Sequence, residues 1–381
     1  MLKKIQEGTR AISQKRSTAR QQLVKPPICR LATELLLAVA EGLDKRDQMR
    51  LLRTCRTMKP VAEFYLYRHI SIPPYAAGNR TAKLFRTLHD RRELAMLVVS
   101  FEGYLTHALP IFVGGHPQDL GRRVQIEDEM IANLGSLLAG AFDNMENLRT
   151  LTIFDLQIRI RVATAQTLRN TGCRLSLTTL HISPRHDHIR REHLHPSVEQ
   201  EILFFLQHQP LLEHLTLSRF WNLRGEKLLP TDVPHLKSIS GLASDIRMIL
   251  PGRPVTTLVV WERDGEPATE LWEGLLASTA PITNVTLHVS RRSQLEKNLK
   301  AMSKHLTQLQ HLALVGAIEN VDYGVTSMNA CGFLGLKTLT VELSNPNCYH
   351  RIDPWDDLPG FCSNIERVSV IGGACMIRPI P

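Results

Sequence analysis

A six-residue pattern, L-x-x-L-x-L with Ile or Val allowed, recurs along most of this chain and restricts what it can fold into. Copies begin at Leu94, Leu148, Leu177, Leu212, Leu236, Val255, Ile282, Leu309, Leu336 and Ile365. The clearest read LRTLTI, LTTLHI, LEHLTL, VTTLVV, ITNVTL, LQHLAL, LKTLTV and IERVSV. Apolar residues at a period of two describe a strand with one buried face. From Val255 onward the starts lie 27, 27, 27 and 29 residues apart, which is room for one strand and one helix per repeat. Helical stripes fill the intervals: Leu84, Phe85 and Leu88; Ile126, Met130, Leu134, Leu137 and Leu138; Ile202, Phe205 and Leu206; Leu271, Trp272 and Leu275; and Leu295, Leu299, Met302 and Leu306. A capping box at Ser293 and Glu296 opens the last of these. A strand–helix pair leaves an apolar face that only the next pair can cover. The expectation is an α/β fold with one elongated solenoid over residues 74–381.

The pattern resembles leucine-rich repeats, in an irregular form. The early starts are spaced 54, 29, 35, 24 and 19 residues apart. The Asn or Cys usual three residues beyond the last apolar position is replaced by Leu156, Phe220, Ala317, Ser344 and Gly373. In such a strand the apolar positions point inward and their neighbours face an open concave surface. Those neighbours are Thr150, Thr152, Phe154, Thr179, His181, His214, Thr216, Thr257, Val259, Trp261, Asn284, Thr286, His288, His311, Val315, Thr338, Thr340, Glu342, Arg367 and Ser369. A surface rich in Thr and His, with few charges, suits a protein or peptide partner better than a polyanion. Phe154 and Trp261 are the first candidates for substrate contact, because aromatic anchors carry much of the energy of protein interfaces. His181, His214, His288 and His311 are the next.

Residues 28–73 read differently. Thr33 is placed to cap a helix carrying Leu35, Leu36, Val39 and Ala40, with Gly42 as a left-handed stop. Asp44 is placed to cap a second helix with Met49, Leu52 and Cys55 along one face, and Pro60 fits the first turn of a third that carries Val61, Phe64, Tyr65 and Tyr67. So short a unit holds more apolar side chains than it can bury alone, and an apolar patch rimmed by charge marks an interface.

The run RLATELLLAVAEGLDKRDQMRLLRTCRTM, followed by FYLYRHISI, resembles an F-box, and an irregular repeat domain behind it resembles the F-box/leucine-rich-repeat arrangement of many fungal proteins. The matching positions are Leu31, Glu34, Leu35, Leu36, Val39, Leu43, Asp44, Asp47, Leu52, Cys55 and Arg56; Ala32 stands where most F-boxes have proline and Met58 where many have tryptophan. The resemblance implies that residues 28–73 form a short three-helix F-box, in which these positions and Met49 bind a Skp-type adaptor and, through it, a cullin. It further implies a substrate-recognition subunit of an SCF-type ubiquitin ligase, whose solenoid holds a protein substrate. The alternative is a repeat scaffold or sensor without a ligase, with the helices serving as an N-terminal cap.

Charge and composition narrow the choice. Of the net charge of +9, residues 1–27 contribute +6 and residues 28–73 contribute +3, while the remaining 308 residues hold thirty-one basic and thirty-one acidic side chains. A neutral repeat domain is a poor match for phosphates, so nucleic acid is not an expected partner. The basic segment 1–27 reads as a disordered tail. No apolar run reaches membrane-spanning length and no signal-peptide core is visible, which predicts a cytoplasmic or nuclear protein without a membrane partner. Seven cysteines, none in a C-x-x-C pair, suggest neither a disulfide framework nor a zinc ribbon. His186, His188, His193 and His195 crowd into one polar stretch, which reads as a solvated loop. P-loop, nucleophile-elbow, zincin and dinucleotide-binding motifs are all missing, so neither a catalytic site, a cofactor nor a metal is expected.

Overall fold

The computed structural model describes residues 31–54, 56–73, 78–104, 135–154, 175–183, 196–217, 228–262, 269–289, 292–316, 333–343, 365–371 and 378–379. All seven cysteines, the histidines at 186–195, the basic segment 1–27 and the stripe positions Ile126, Met130 and Leu134 lie outside these residues. The chain divides into two compact units, Met1–His69 and Ile70–Pro381.

Among its described residues the first unit holds three helices: α1 (Thr33–Glu41), α2 (Lys45–Leu52) and α3 (Met58–Arg68). Asp44 caps α2 as its spacing predicts, its carboxylate accepting the Asp47 N–H at 2.8 Å. Two other expectations fail. Ala32 is the N-cap of α1, the N–H groups of Leu35 and Leu36 donate to its carbonyl, and no side chain caps this end, so Thr33 is helical. Gly42 has φ −74°, a right-handed conformation open to any residue, so α1 ends without a left-handed turn. Leu36, Ala40, Met58 and Val61 form the core, with Leu37, Leu51 and Tyr65 packed around it. Gln48 is buried there and its Nε2 donates to the carbonyls of Ala40 and Leu43 at 3.1 and 3.0 Å, which satisfies backbone groups at the end of α1.

The second unit is built on a twelve-stranded sheet whose strands lie side by side in sequence order. They are β1 (His69–Ile72), β2 (Ser100–Tyr104), β3 (Thr150–Phe154), β4 (Thr179–Ser183), β5 (His214–Leu217), β6 (Ser238–Leu242), β7 (Thr257–Trp261), β8 (Asn284–Val289), β9 (His311–Gly316), β10 (Thr338–Leu343), β11 (Arg367–Ile371) and β12 (Arg378–Pro379). From β2 to β11 every pair is parallel, and β12 runs antiparallel to β11. The described helices of this unit are α4 (Gly78–Asp90), α5 (Arg92–Ala95), α6 (135–144), α7 (Pro196–Gln207), α8 (Ala243–Ile249), α9 (Thr269–Gly274) and α10 (Arg292–His305). Parallel neighbours in sequence order need a crossover at each step. The arrangement is a mixed α/β one, consistent with a repeat solenoid.

Register is constant. Ser100, Thr150, Thr179, His214, Ser238, Thr257, Asn284, His311, Thr338 and Arg367 stand in one row across the sheet. Phe101, Leu151, Leu180, Leu215, Ile239, Leu258, Val285, Leu312 and Leu339 form the next row and are all buried. Phe85, Leu88, Leu138, Ile202, Phe205, Leu206, Trp272, Leu299 and Met302 are buried from the helices. The expected start at Leu94 is corrected: Leu94 lies in α5, and the pairing of Ser100 with Thr150 puts the first repeat at Val98, with Phe101 and Gly103 inward. Ser293 lies inside α10, which begins at Arg292.

Buried polar groups join successive repeats. Gln209 accepts the Leu177 N–H at 3.1 Å. Trp272 donates from its indole nitrogen to Asn298 Oδ1 at 2.9 Å, and Asn298 Nδ2 donates to Glu262. Arg253 is fully buried and donates to the carbonyls of Ile249, Pro251 and Leu229. Burial pulls its guanidinium below the usual range and Asp232 opposes the shift. At the end of β9, Gly316 has φ +114°, and a Cβ there would sit 2.5 Å from the Val289 carbonyl oxygen, so only glycine fits.

Inward and outward side chains on one strand should differ sharply in cost. Leu287→Ala, at a fully buried site, is expected to lower the unfolding free energy by about 2–5 kcal/mol, whereas the outward neighbour Thr286→Ala is expected to stay within about 0.5 kcal/mol. Urea denaturation midpoints at equal slope measure both.

Candidate protein-interaction surfaces

Helix α1 has two apolar faces. Leu36 and Ala40 point into the three-helix core, while Leu35 and Val39, one residue earlier in each turn, are 55% and 43% exposed. Leu31, just before the helix, is 41% exposed, and Met49 on α2 is 52% exposed. Each such side chain left in water forgoes about 1.5–3 kcal/mol of transfer free energy. Glu34, Asp44 and Arg56 are exposed, while Leu43 and Leu52 are half-buried. Cys55 lies outside the described residues. Among the residues that resemble adaptor contacts, Leu36 therefore holds the unit together, and the exposed apolar set is Leu31, Leu35, Val39 and Met49. Lys45, Arg46, Arg50, Arg53 and Lys59 are also exposed on α2, the following turn and α3, Arg50 pairing with Asp47 at 2.8 Å.

In the repeat unit the outward face of the sheet carries the predicted contact residues in three rows. His214 and His311 lie in the row nearest the strand starts, where both are exposed and His311 Nδ1 lies 2.5 Å from Thr338 Oγ1. Asn284 Nδ2 donates to Thr257 Oγ1 at 3.3 Å in the same row. His181 lies in the middle row. Its ring meets Phe154 of the third row edge-on, with centroids 5.6 Å apart. Trp261 and His288 are register partners in the third row, with ring centroids 5.7 Å apart at 57°. Four of the six candidates thus form two aromatic–imidazole pairs, four strands apart, or about 19 Å at ordinary strand spacing, while His214 and His311 stand apart from both. Between them Ser240 and Leu242 of β6 are buried although their phase is outward, so the face is interrupted there.

The constant register discloses outward positions that the sequence pattern does not. With the first repeat at Val98, Ser100 and Glu102 join the outward rows. At the rim Lys237 bridges Glu213 at 2.9 Å, and that hydrogen bond holds the Glu213 carboxyl below its ordinary range. Among the described residues no group of three or more His, Cys, Asp or Glu is placed to hold a metal, and no helix is long and apolar enough to cross a membrane.

These features define a strand–helix repeat protein with an N-terminal three-helix unit. No family model and no curated protein matches the chain. Comparison of folds finds a likeness to yeast Rad7 in its complex with Elc1, with a TM-score of 0.39 and 11% identity over 97% of this chain and 92% of that one. A likeness of that degree assigns neither partner nor activity, and the class rests on the chain's own geometry.

Burial lowers the pKa of His181 from its ordinary 6.5. The unfolded chain then binds a proton near pH 6.5 that the folded chain refuses, so stability is lost as pH falls below about 6.5 toward the folded value. His181→Gln is expected to remove this component, leaving a flatter dependence of the urea midpoint between pH 7 and pH 5 than in the parent protein.

Proposed function

We propose that this chain is a substrate-recognition subunit of an SCF-type cullin-RING ubiquitin ligase, its three-helix unit binding a Skp-type adaptor and its repeat unit binding a protein substrate. The observation that carries the proposal is the second apolar face of α1, where Leu35 and Val39, with Leu31 and Met49, remain in water beside a core that is already complete. A small helical unit keeps such a patch for a partner. The resemblance of the run to an F-box is what supports a Skp-type adaptor as that partner.

The chain itself performs no covalent step in this reading. It raises the effective concentration of a bound substrate near the ubiquitin-carrying enzyme and orients its lysines. No catalytic group and no cofactor is required, and the site of action is the cytosol, the nucleus or both.

Leu35→Asp combined with Val39→Asp tests the reading at exposed positions. Capture of a purified Skp-type adaptor is expected to fall at least about tenfold, with helical circular dichroism unchanged. Leu36→Asp would lose capture by unfolding the unit and is the control for that artefact. Undiminished capture by the double variant overturns the proposal. Absence of capture by the parent chain leaves the non-ligase repeat scaffold in its place.

A further inference from the structure

The third outward row changes character between β7 and β10. Trp261, His288, Val315 and Glu342 are successive register partners along it. Beside them, Val259, Thr286, Ala313 and Thr340 occupy the middle row. Trp261 and Val259 on β7 and Val315 and Ala313 on β9 are half-exposed, and with His288 and Thr286 of β8 between them they make a nearly uncharged strip, the exposed Glu342 being the only charged side chain among the described residues of these two rows from β7 to β10. Arg367 does not neutralise it. That residue sits on β11 opposite Thr338, four residues back along the strand direction from Glu342, or about 13 Å.

We infer that this strip is a recognition site for an extended, lysine- or arginine-bearing protein segment, with an apolar or aromatic side chain seated on Trp261 and a cation on Glu342. The inference rests on the proposed substrate-binding role of the repeat unit and names the chemistry of the substrate. Three strand steps separate Trp261 from Glu342, about 14 Å, and an extended chain advances about 3.4 Å per residue. The cation therefore belongs about four residues from the apolar anchor. An acidic segment is disfavoured by repulsion at Glu342, and a segment bringing charge over Val259 and Val315 would lose hydration without a partner there.

The test uses the full chain and fluorescein-labelled dodecapeptides, each with one Trp and one Lys at separations of two to seven residues in an otherwise Ser/Ala sequence. Binding is expected to peak near a separation of four. Trp261→Ala and Glu342→Gln are each expected to weaken the best peptide about tenfold, and Glu342→Lys to transfer preference to the peptide with Glu in place of Lys. Binding indifferent to separation, a preference unmoved by Glu342→Lys, or failure of every peptide to bind overturns the inference. Capture of the Skp-type adaptor, measured on the same preparations, separates this failure from that of the ligase reading, since it depends on Leu35 and Val39.

Discussion

One carbonyl per repeat carries the second unit. The second residue of each copy, Val99, Arg149, Thr178, Glu213, Lys237, Thr256, Thr283, Gln310 and Lys337 in turn, accepts the N–H groups of the second and third residues of the following copy, at 2.8–3.2 Å. Every strand therefore enters the sheet at the same phase as its predecessor. A slip of one residue would turn every apolar side chain outward, and the paired acceptor resists it. The uneven lengths between strands become tolerable for the same reason, because the intervening segments need only return the chain to that carbonyl. At the far end β12 pairs with β11 through Arg378 and Pro379, which covers an edge that would otherwise offer unpaired backbone groups.

This device explains what the sequence discloses and what it conceals. The inward positions are legible because from Leu148 onward all but Gly241 carry an apolar side chain and all are evenly phased. The first repeat is harder to see, since its inward residues are Val98, Phe101 and Gly103, and the last lacks an apolar side chain. The dense apolar stretch Leu94–Val99 offers an earlier frame that α5 occupies instead. Gln209, Arg253 and Asn298 leave no periodic trace, because each hydrogen-bonds a group from a different repeat. Such residues read as surface polar side chains until the fold is known.

The three-helix unit shows a related limit. Leu35, Leu36, Val39 and Ala40 all fit helical spacing, and adjacent pairs at this spacing span more of the circumference than one neighbour can cover. Packing against α3 chooses Leu36 and Ala40, which leaves Leu35 and Val39 outside. The sequence thus discloses that the helix is too apolar, and packing discloses which residues are the surplus. Ala32 in place of a capping side chain is part of the same picture: the start of α1 is held by backbone hydrogen bonds alone.

Threonine abundance in the repeats is weaker evidence for binding than it looks from the sequence. The hydroxyls of Thr178, Thr256 and Thr283, at the second position of their copies, donate to the same carbonyls that organise the sheet. Their recurrence is explained by assembly. Information about a partner must instead come from outward positions where the hydroxyl pattern breaks without serving the ladder. Trp261, Val315 and Glu342 are such breaks, and constant register places them in one row. A sheet that repeats for structural reasons can be read for recognition only through its departures from repetition.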